Sequence, residues 1–126
     1  MTMNESAENY LETILVLSHS LPVVRSVDIA NEMGFKKSSV SVAMKNLREN
    51  GYIEMDRDRL ITLTDRGMAI AAKMLDRHHT LTKFLIALGV DARTAEEDAC
   101  KIEHDISQQT YDAICSHARA NLQPKR

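Results

Sequence analysis

Residues 27–63 read VDIANEMGFKKSSVSVAMKNLRENGYIEMDRDRLITL, and this stretch decides the fold. In its first half, apolar residues recur at helical spacing on both sides of Gly34, which predicts two short helices joined by a tight turn. In its second half, two short apolar stretches flank a run of charged residues, which predicts two strands joined by a turn. This order predicts a winged helix-turn-helix. The predicted helices span 27–33 and 38–50, capped by Ser26 and Ser38, and the predicted strands span 52–55 and 60–63.

Further helices flank this segment on both sides. An amphipathic helix is predicted over residues 5–20, ended by Pro22. After the hairpin, Thr64 can cap a long helix over 65–88 that Gly89 ends. The predicted fold class is therefore mainly α, with an N-terminal winged helix-turn-helix followed by a helical domain. The remaining predictions are helices over 91–106 and 107–120, a frayed tail at 123–126, and domains at 1–64 and 65–126.

The composition is that of an ordinary globular protein. The 126 residues, 44% hydrophobic and 27% charged, suit one compact domain or two small ones. No run approaches the ~20 apolar residues that span a bilayer. Because no signal peptide opens the chain and only two cysteines are present, we expect a cytoplasmic protein without a membrane partner. The net charge of -2 means that any DNA binding must rely on local basic groups.

The second helix of the predicted winged helix carries a face suited to reading DNA. Val40, Ala43, Met44 and Leu47 form its predicted inward stripe. On the opposite face, serine and asparagine can hydrogen-bond base edges, Val42 can contact a thymine methyl, and the basic residues suit phosphates. The alternative is a solvated helix face in a protein-interaction module. The predicted DNA-binding residues are Lys36, Lys37, Ser38, Ser39, Ser41, Val42, Lys45, Asn46, Arg57 and Arg59.

A second set of residues carries metal-ligand chemistry. Cys100, Glu103 and His104 are spaced i, i+3 and i+4 in a predicted helix, so a thiolate, a carboxylate and an imidazole share one face. A histidine on the long helix and an Asn–Glu pair spaced i, i+3 on the first helix offer further ligand atoms. The predicted metal ligands are His78, Cys100, Glu103, His104, Glu12, Asn9 and Glu96.

Several of these residues have a simpler interpretation. A lone Cys100 is more often a small buried apolar residue, and a lone Glu103 is more often part of a solvated helix face. Glu96 can be an exposed acid that interacts favourably with the positive, N-terminal end of its helix dipole. His79 lies on a different face from its neighbour His78 and is expected to be exposed or paired. The ligand interpretation therefore depends on the set as a whole.

These segments resemble the diphtheria-toxin-repressor and manganese-transport-regulator family of metal-dependent transcriptional repressors. The resemblance covers nearly the whole chain. Its first and last segments are specific, whereas the helix-turn-helix residues alone are generic. It is carried by residues 6–12 (SAENYLE), 27–30 (VDIA), 38–41 (SSVS), 63–67 (LTDRG), 77–78 (RH) and 98–104 (DACKIEH).

The resemblance implies a homodimer that binds a palindromic double-stranded DNA operator and represses metal-homeostasis genes. Its C-terminal helical half would bind metal and form the dimer interface, with Fe(II) or Mn(II) as the ion and one or two ions per subunit. Cys100 resembles the iron-type ligand, and Glu12 resembles the manganese-type ligand. Asn9 stands where the family has Met or Asp, and Thr82 stands where a second-site carboxylate is expected.

The resemblance also implies a mechanism, in which metal binding draws the first helix, with Glu12, toward the other ligands. That movement would set the spacing of the two recognition helices. The alternative is a winged-helix regulator gated by oxidation of Cys100 or by a small molecule. An enzyme is not expected, because the chain lacks a nucleophile elbow, a His-Glu-x-x-His motif and a glycine-rich phosphate loop.

Overall fold

The computed structural model describes residues 3–122, with side chains as far as residue 119, so the predicted fraying of 123–126 lies outside the described residues. The mainly helical fold class and the predicted element order are confirmed. No helix within residues 3–122 combines the length and apolarity needed to cross a bilayer. In chain order the elements are α1 Glu5–Ser20, α2 Ser26–Met33, α3 Lys37–Glu49, β1 Ile53–Met55, β2 Ile61–Leu63, α4 Asp65–Ala87, α5 Ala92–Ile102 and α6 Gln108–Leu122.

The chain divides after Lys73, within α4, into two compact units. In the first unit, α2 contacts both α1 and α3, while α1 also contacts β2 and α3 contacts β1. The strands pair antiparallel, with Ile53 opposite Leu63, and each begins one residue later than predicted. Burial of each large apolar side chain contributes about 1.5–3 kcal/mol, so this core holds α3 in place with its polar face outward. Its largest fully buried side chains are Leu11, Ile14, Ile29, Val40, Met44, Leu47 and Ile53.

Two predicted helix caps are wrong. α2 begins at Ser26 itself, and the preceding Arg25 occupies the N-cap position. The Asp28 carboxylate accepts the backbone N–H of Arg25 at 2.9 Å, so the side-chain hydrogen bond at this helix start comes from the N3 residue and not from a capping hydroxyl. α3 begins at Lys37, one residue before Ser38, and makes no side-chain cap hydrogen bond. Both serines therefore lie in the first turn of their helices, where water can satisfy the exposed N–H groups.

Other predicted boundaries are confirmed. α1 ends before Pro22, and Leu21 is extended, as a residue preceding proline prefers. Gly34 ends α2 with φ of 69°, a left-handed conformation that favours glycine. At the start of α4, the Thr64 hydroxyl oxygen accepts the Gly67 backbone N–H at 3.2 Å. The junctions that orient the recognition helix are thus encoded locally.

The second unit contains the C-terminal part of α4 together with α5 and α6, and it corrects two predicted boundaries. α5 ends at Ile102 rather than at residue 106, and residues 103–105 form a turn. α6 begins at Gln108, so Ser107 precedes this helix, and its hydroxyl oxygen accepts the Thr110 backbone N–H at 3.1 Å. The buried apolar side chains of this unit include Met74, Leu81, Ala95 and Ala99.

Candidate DNA interface and candidate metal centre

α3 presents the polar face that the sequence predicts. Val40, Met44 and Leu47 are at most 1% exposed, and Val42 on the opposite side is 61% exposed. Ala43, predicted to face inward, is half-buried. The predicted DNA-binding residues on this helix and at the hairpin tip are all exposed. The fold therefore leaves the candidate base-reading side chains open to a partner.

A groove of about 430 Å³ runs between the start of α2, the middle of α3 and the hairpin. Four cationic side chains, Arg25, Lys45, Arg48 and Arg59, line it together with one carboxylate, Asp56. Lys45 and Arg59 were predicted from the sequence, whereas Arg25 and Arg48 were missed. The i, i+3 spacing of Lys45 and Arg48 was an available signal, since residues so spaced share a helix face. This basic groove suits the phosphates of a nucleic-acid backbone.

The tip of the hairpin is shaped by its own hydrogen bonds. The Asp56 carboxylate accepts the backbone N–H groups of Asp58 and Leu60, each at 2.9 Å. Arg59 adopts φ of 63°, a left-handed conformation that costs a non-glycine residue about 1–3 kcal/mol. The strained residue is one that lines the basic groove. Asp56 therefore supports the turn that presents this arginine.

In the second unit, α4 and the segment after α5 bring together a carboxylate and two imidazoles. His78 Nδ1 lies 2.9 Å from Glu103 Oε2, and His104 Nε2 lies 3.4 Å from Glu103 Oε1. The side chains of Glu103 and His104 are fully buried, and that of His78 is 18% exposed. Glu96 is more peripheral, because its Oε1 lies 3.9 Å from His78 Nε2 and its side chain is 69% exposed.

Glu103 makes this cluster electrostatically unusual. Its carboxylate is removed from water, and its Oε1 accepts no hydrogen bond within the described part of the chain. The hydrogen bond to this carboxylate raises the pKa of His78, and desolvation only partly opposes that effect. A buried carboxylate with spare acceptor capacity beside two imidazoles is a donor set that suits a divalent transition-metal ion. The residues present therefore fit such an ion.

The expectation that Cys100, Glu103 and His104 share one face of a single helix needs correction. Cys100 lies on α5 and is half-buried, but Glu103 is the C-cap of that helix and His104 lies in the following turn. The described contacts join Glu103 to His104 and to His78 of α4. Local periodicity predicted the residue types, whereas the approach of α4 to Glu103 depends on tertiary packing.

Two further predicted ligands lie on α1, and Thr82 lies on α4. In the first unit, Asn9 is half-buried on α1 and Glu12 is 8% exposed on the same helix. In the second unit, the Thr82 hydroxyl donates to the His78 carbonyl oxygen at 2.7 Å. Thr82 also lines an open pocket of about 380 Å³ with the exposed His79, and His78, Glu96 and Lys83 complete the lining.

Comparison with known proteins agrees with both halves of this description. Residues 2–60 match the N-terminal DNA-binding domain of the iron-dependent repressors. Residues 64–120 match the metal-binding and dimerisation domain of the same repressors.

Two similar proteins cover most of the chain. An uncharacterized HTH-type transcriptional regulator of Methanocaldococcus jannaschii is 36% identical over 114 residues, which are 89% of this chain and 91% of that protein. The transcriptional regulator MntR of Salmonella typhimurium is 35% identical over 110 residues, which are 87% of this chain and 70% of that protein.

Among solved structures, the manganese regulator SloR superposes with a TM-score of 0.80 at 26% identity, covering 94% of this chain and 55% of that chain. A manganese-dependent transcriptional repressor in complex with manganese also gives 0.80, at 29% identity, covering 88% of this chain and 51% of that chain. The chain thus spans about half the length of these two structures. Fold and matched domains together define a metal-responsive DNA-binding transcriptional regulator. The chain belongs to the diphtheria-toxin-repressor and MntR family of metal-dependent repressors.

Proposed function

We propose that this chain is a repressor that binds a double-stranded DNA operator as a homodimer when Fe(II) or Mn(II) is available, and so controls genes of metal homeostasis. The observation that carries the proposal is the pairing of two chemistries in one chain. The first unit exposes a polar recognition helix beside a basic groove. The second unit buries a carboxylate between two imidazoles.

On the DNA side, we propose that the exposed face of α3 reads base edges and that the basic groove receives backbone phosphates. Ser38, Ser41 and Asn46 offer hydrogen-bonding groups to bases, and Val42 offers an apolar contact to thymine. The predicted residues Lys36, Lys37, Ser39, Lys45, Arg57 and Arg59 complete the proposed interface, joined by Arg25 and Arg48. Because a homodimer presents two equivalent α3 helices, we expect a palindromic operator.

On the metal side, we propose His78, Glu103 and His104 as the central ligands. When bound, a divalent cation would supply positive charge beside the buried Glu103 carboxylate, whose Oε2 lies 2.9 Å from His78 Nδ1. One oxygen of the Glu103 carboxylate, Oε2, is hydrogen-bonded to His78, which leaves Oε1, 3.4 Å from His104 Nε2, with acceptor capacity for an ion. The predicted ligands Glu12, Asn9, Cys100 and Glu96 stay candidates for the remaining coordination positions.

The identity and number of ions follow from the donor types. Carboxylate and imidazole accept both manganese and iron, and the Cys100 thiol would favour iron. Manganese appears in the names of the structurally similar regulators, and iron in the names of the matched domains. The pocket beside His78 offers one carboxylate, Glu96, and sets the cationic Lys83 and the neutral Thr82 against a second ion. We therefore infer one strongly bound ion per subunit and only weak binding of a second ion.

We also infer that the chain acts in the cytoplasm and by binding rather than by catalysis. A regulator of transcription works where DNA is, and the family to which the chain belongs consists of such regulators. The two compact units support a division of labour between DNA binding and metal binding. The predicted domain boundary after Thr64 stays part of this proposal.

Retention of fragmented genomic DNA from the source organism by the purified full chain tests the function. Added Fe(II) or Mn(II), against added chelator, should retain a few discrete fragments. His104→Ala should remove this difference, because it deletes a proposed ligand, while the circular dichroism spectrum of the metal-free protein shows that the helical fold is kept. Equal retention under all conditions would reject the metal switch. If retention instead followed peroxide treatment and required Cys100, the oxidation-gated regulator would replace this proposal.

A further inference from the structure

Arg77, the residue before His78 on α4, is an arginine almost completely removed from solvent. It is only 4% exposed. Its Nη1 donates to the backbone carbonyl oxygen of Glu103 at 3.0 Å and to that of Ile106 at 3.1 Å. These two carbonyls lie at the beginning of the turn that contains His104 and directly after its last residue. One guanidinium therefore bridges the two ends of the segment that carries two of the proposed ligands.

The same guanidinium is fixed from its other side. Its Nη2 donates to the Gln108 side-chain oxygen at 3.1 Å, in the first turn of α6. The guanidinium carbon also lies 5.1 Å from the centre of the Tyr111 ring, which is within range for a cation–π contact. The Tyr111 hydroxyl donates to Thr80 of α4 at 3.2 Å. Arg77 is consequently held in one orientation by α6.

The turn after α5 needs such a partner. The last carbonyl oxygens of a helix receive no N–H donor from the helix itself and must find donors elsewhere. α5 ends at Ile102, and Arg77 supplies donors to the Glu103 and Ile106 carbonyls beyond it. Because arginine presents several donors in a rigid planar fork, it can satisfy two carbonyls at a defined separation, whereas lysine has a point charge on a flexible stem.

We propose that Arg77 is a positioning residue of the metal centre. Two consecutive residues of α4 hold the same glutamate at both of its polar ends, since Arg77 binds the backbone carbonyl of Glu103 and His78 binds its carboxylate. The backbone hydrogen bonds fix the turn, so the side chains of Glu103 and His104 are oriented before the ion arrives. This inference rests on the proposed function, because it assumes that these side chains are ligands.

Arg77→Lys tests the inference with Co(II) as the probe metal, bound to the full chain and followed by its visible absorption. Loss of a group that orients metal ligands weakens metal affinity by roughly 10–100-fold. We expect a loss in that range and a changed Co(II) absorption band, because the ligand turn is no longer held. Gln108→Ala, which frees only one arm of the guanidinium, should weaken binding in the same direction but less. It remains informative if the lysine variant does not fold.

A purely structural role for Arg77 predicts a different result. Asp91→Ala removes the cap at the opposite end of α5 and so destabilises the second unit without touching the turn. If Co(II) affinity simply followed protein stability, Asp91→Ala would lose as much affinity as a substitution of Arg77 that lowers the melting temperature equally. We expect Asp91→Ala to keep the wild-type affinity and absorption band. Wild-type affinity and an unchanged band in both Arg77→Lys and Gln108→Ala would overturn the inference.

His104→Ala separates failure of this inference from failure of the proposed function. If His104→Ala bound Co(II) as tightly as wild type, the proposed site itself would be wrong, and the positioning role would be wrong with it. If His104→Ala lost binding while Arg77→Lys retained it, only the positioning role would be rejected. Binding weakened in both variants, with a changed band in Arg77→Lys, would support the site and the positioning role together.

Discussion

Arg48 shows how a single cation can contribute to DNA affinity without reading sequence. It lies one turn after Lys45 on α3 and lines the basic groove, away from the serines at the start of the helix. A cation that contacts a phosphate releases about one counterion on binding. We therefore expect Arg48→Ala to weaken binding to operator and to unrelated DNA alike. The slope of log affinity against log salt should fall in magnitude by about 1, measured by fluorescence anisotropy over a salt series.

Arg93→Ala is the matched control for this substitution. Arg93 is an exposed arginine of α5, paired with Glu97 at 3.4 Å, so its loss changes the net charge of the chain equally. We expect Arg93→Ala to leave the salt slope as in wild type. If the two variants changed the slope equally, net charge rather than the groove would account for the affinity. If Arg48→Ala weakened only operator binding, Arg48 would contact bases instead of phosphates.

The residues of the candidate metal centre could be predicted from their side-chain chemistry, but their contacts could not. The types and spacing of Cys100, Glu103 and His104 indicated metal binding. The 2.9 Å contact of His78 with Glu103 joins residues 25 positions apart and depends on how α4 packs. Arg77 was missed for the same reason, since its partners are backbone carbonyls and leave no mark in a motif.

At the scale of elements, Gly67 determines how closely the start of α4 approaches the residue before β1. A Cβ added at this position would overlap the Tyr52 backbone carbonyl oxygen. Glycine to alanine within a helix normally stabilises by about 1 kcal/mol. Here we expect the opposite sign, because overpacking against backbone costs about 1–3 kcal/mol. Urea denaturation of Gly67→Ala should therefore show a less stable protein than wild type.

Ala69→Gly provides the comparison for the Gly67 prediction. Residue 69 is exposed on the same helix, so the substitution tests helix propensity alone and should destabilise by about 1 kcal/mol. If Gly67→Ala proved as stable as wild type or more so, the close approach of α4 to Tyr52 would be wrong. The pair of variants therefore distinguishes packing from propensity on one element.

Asp91 couples the stability of α5 to pH. Its carboxylate accepts the Thr94 hydroxyl at 2.6 Å, the Thr94 backbone N–H at 3.1 Å and the Arg93 backbone N–H at 3.3 Å. These bonds, chiefly that from the Thr94 hydroxyl, lower the pKa of Asp91. A lowered folded-state pKa means that the stabilisation is present above the unfolded-state pKa and is lost as pH falls through the folded-state value.

We therefore expect Asp91→Ala to melt at a lower temperature than wild type near neutral pH. The difference should shrink as pH falls below about 4, the ordinary aspartate pKa that applies to the unfolded chain, and on through the lowered folded-state pKa of Asp91. Thermal unfolding of both proteins between neutral and acidic pH measures this. Asp91→Asn retains a capping oxygen without a titratable group, so its difference from Asp91→Ala should vary little with pH. A constant gap between wild type and Asp91→Ala at all pH values would contradict the assignment.

The elements themselves were predictable because hydrophobic periodicity and punctuation by Gly34 and Pro22 are local properties. The ends of helices were less so. Ser26 and Ser38 have the chemistry of caps, yet both helices begin one residue earlier than predicted. At the start of α2, the Asp28 carboxylate accepts a backbone N–H, and at the start of α3 the N–H groups are accessible to solvent. The early end of α5 could not be predicted, since its stabilising partner Arg77 lies on another helix.

At the scale of the whole molecule, charge is distributed unevenly. The chain has a net charge of -2, yet its basic groove contains four cations against one carboxylate. Net charge alone would give weak non-specific affinity for DNA. Composition correctly pointed to the need for local basic groups but could not locate them, because Arg25 precedes α2 whereas Arg48 lies on α3. The regulator can therefore depend on a second input to reach its operator affinity.

That second input makes a quantitative prediction, since two ligands of one protein must affect each other equally. If metal tightens operator binding by some factor, operator must tighten metal binding by the same factor, and a usable switch needs about 5–150-fold. We expect the Mn(II) dissociation constant of the full chain to fall on saturation with operator by the factor by which saturating Mn(II) lowers the operator dissociation constant. Both can be measured by calorimetric titration.

The His104→Ala variant should show no coupling in either direction, because without the proposed ligand the metal has no means to favour the DNA-binding state. If Mn(II) still increased the operator affinity of this variant, the responsible ion would bind elsewhere, for example at the DNA phosphates. In the wild-type protein, metal could increase operator affinity while operator leaves metal affinity unchanged. Such a result is incompatible with two linked sites on one protein. That result would show that metal acts through aggregation or assembly. Equal factors would instead establish that one equilibrium of the folded chain connects its buried carboxylate to its recognition helix.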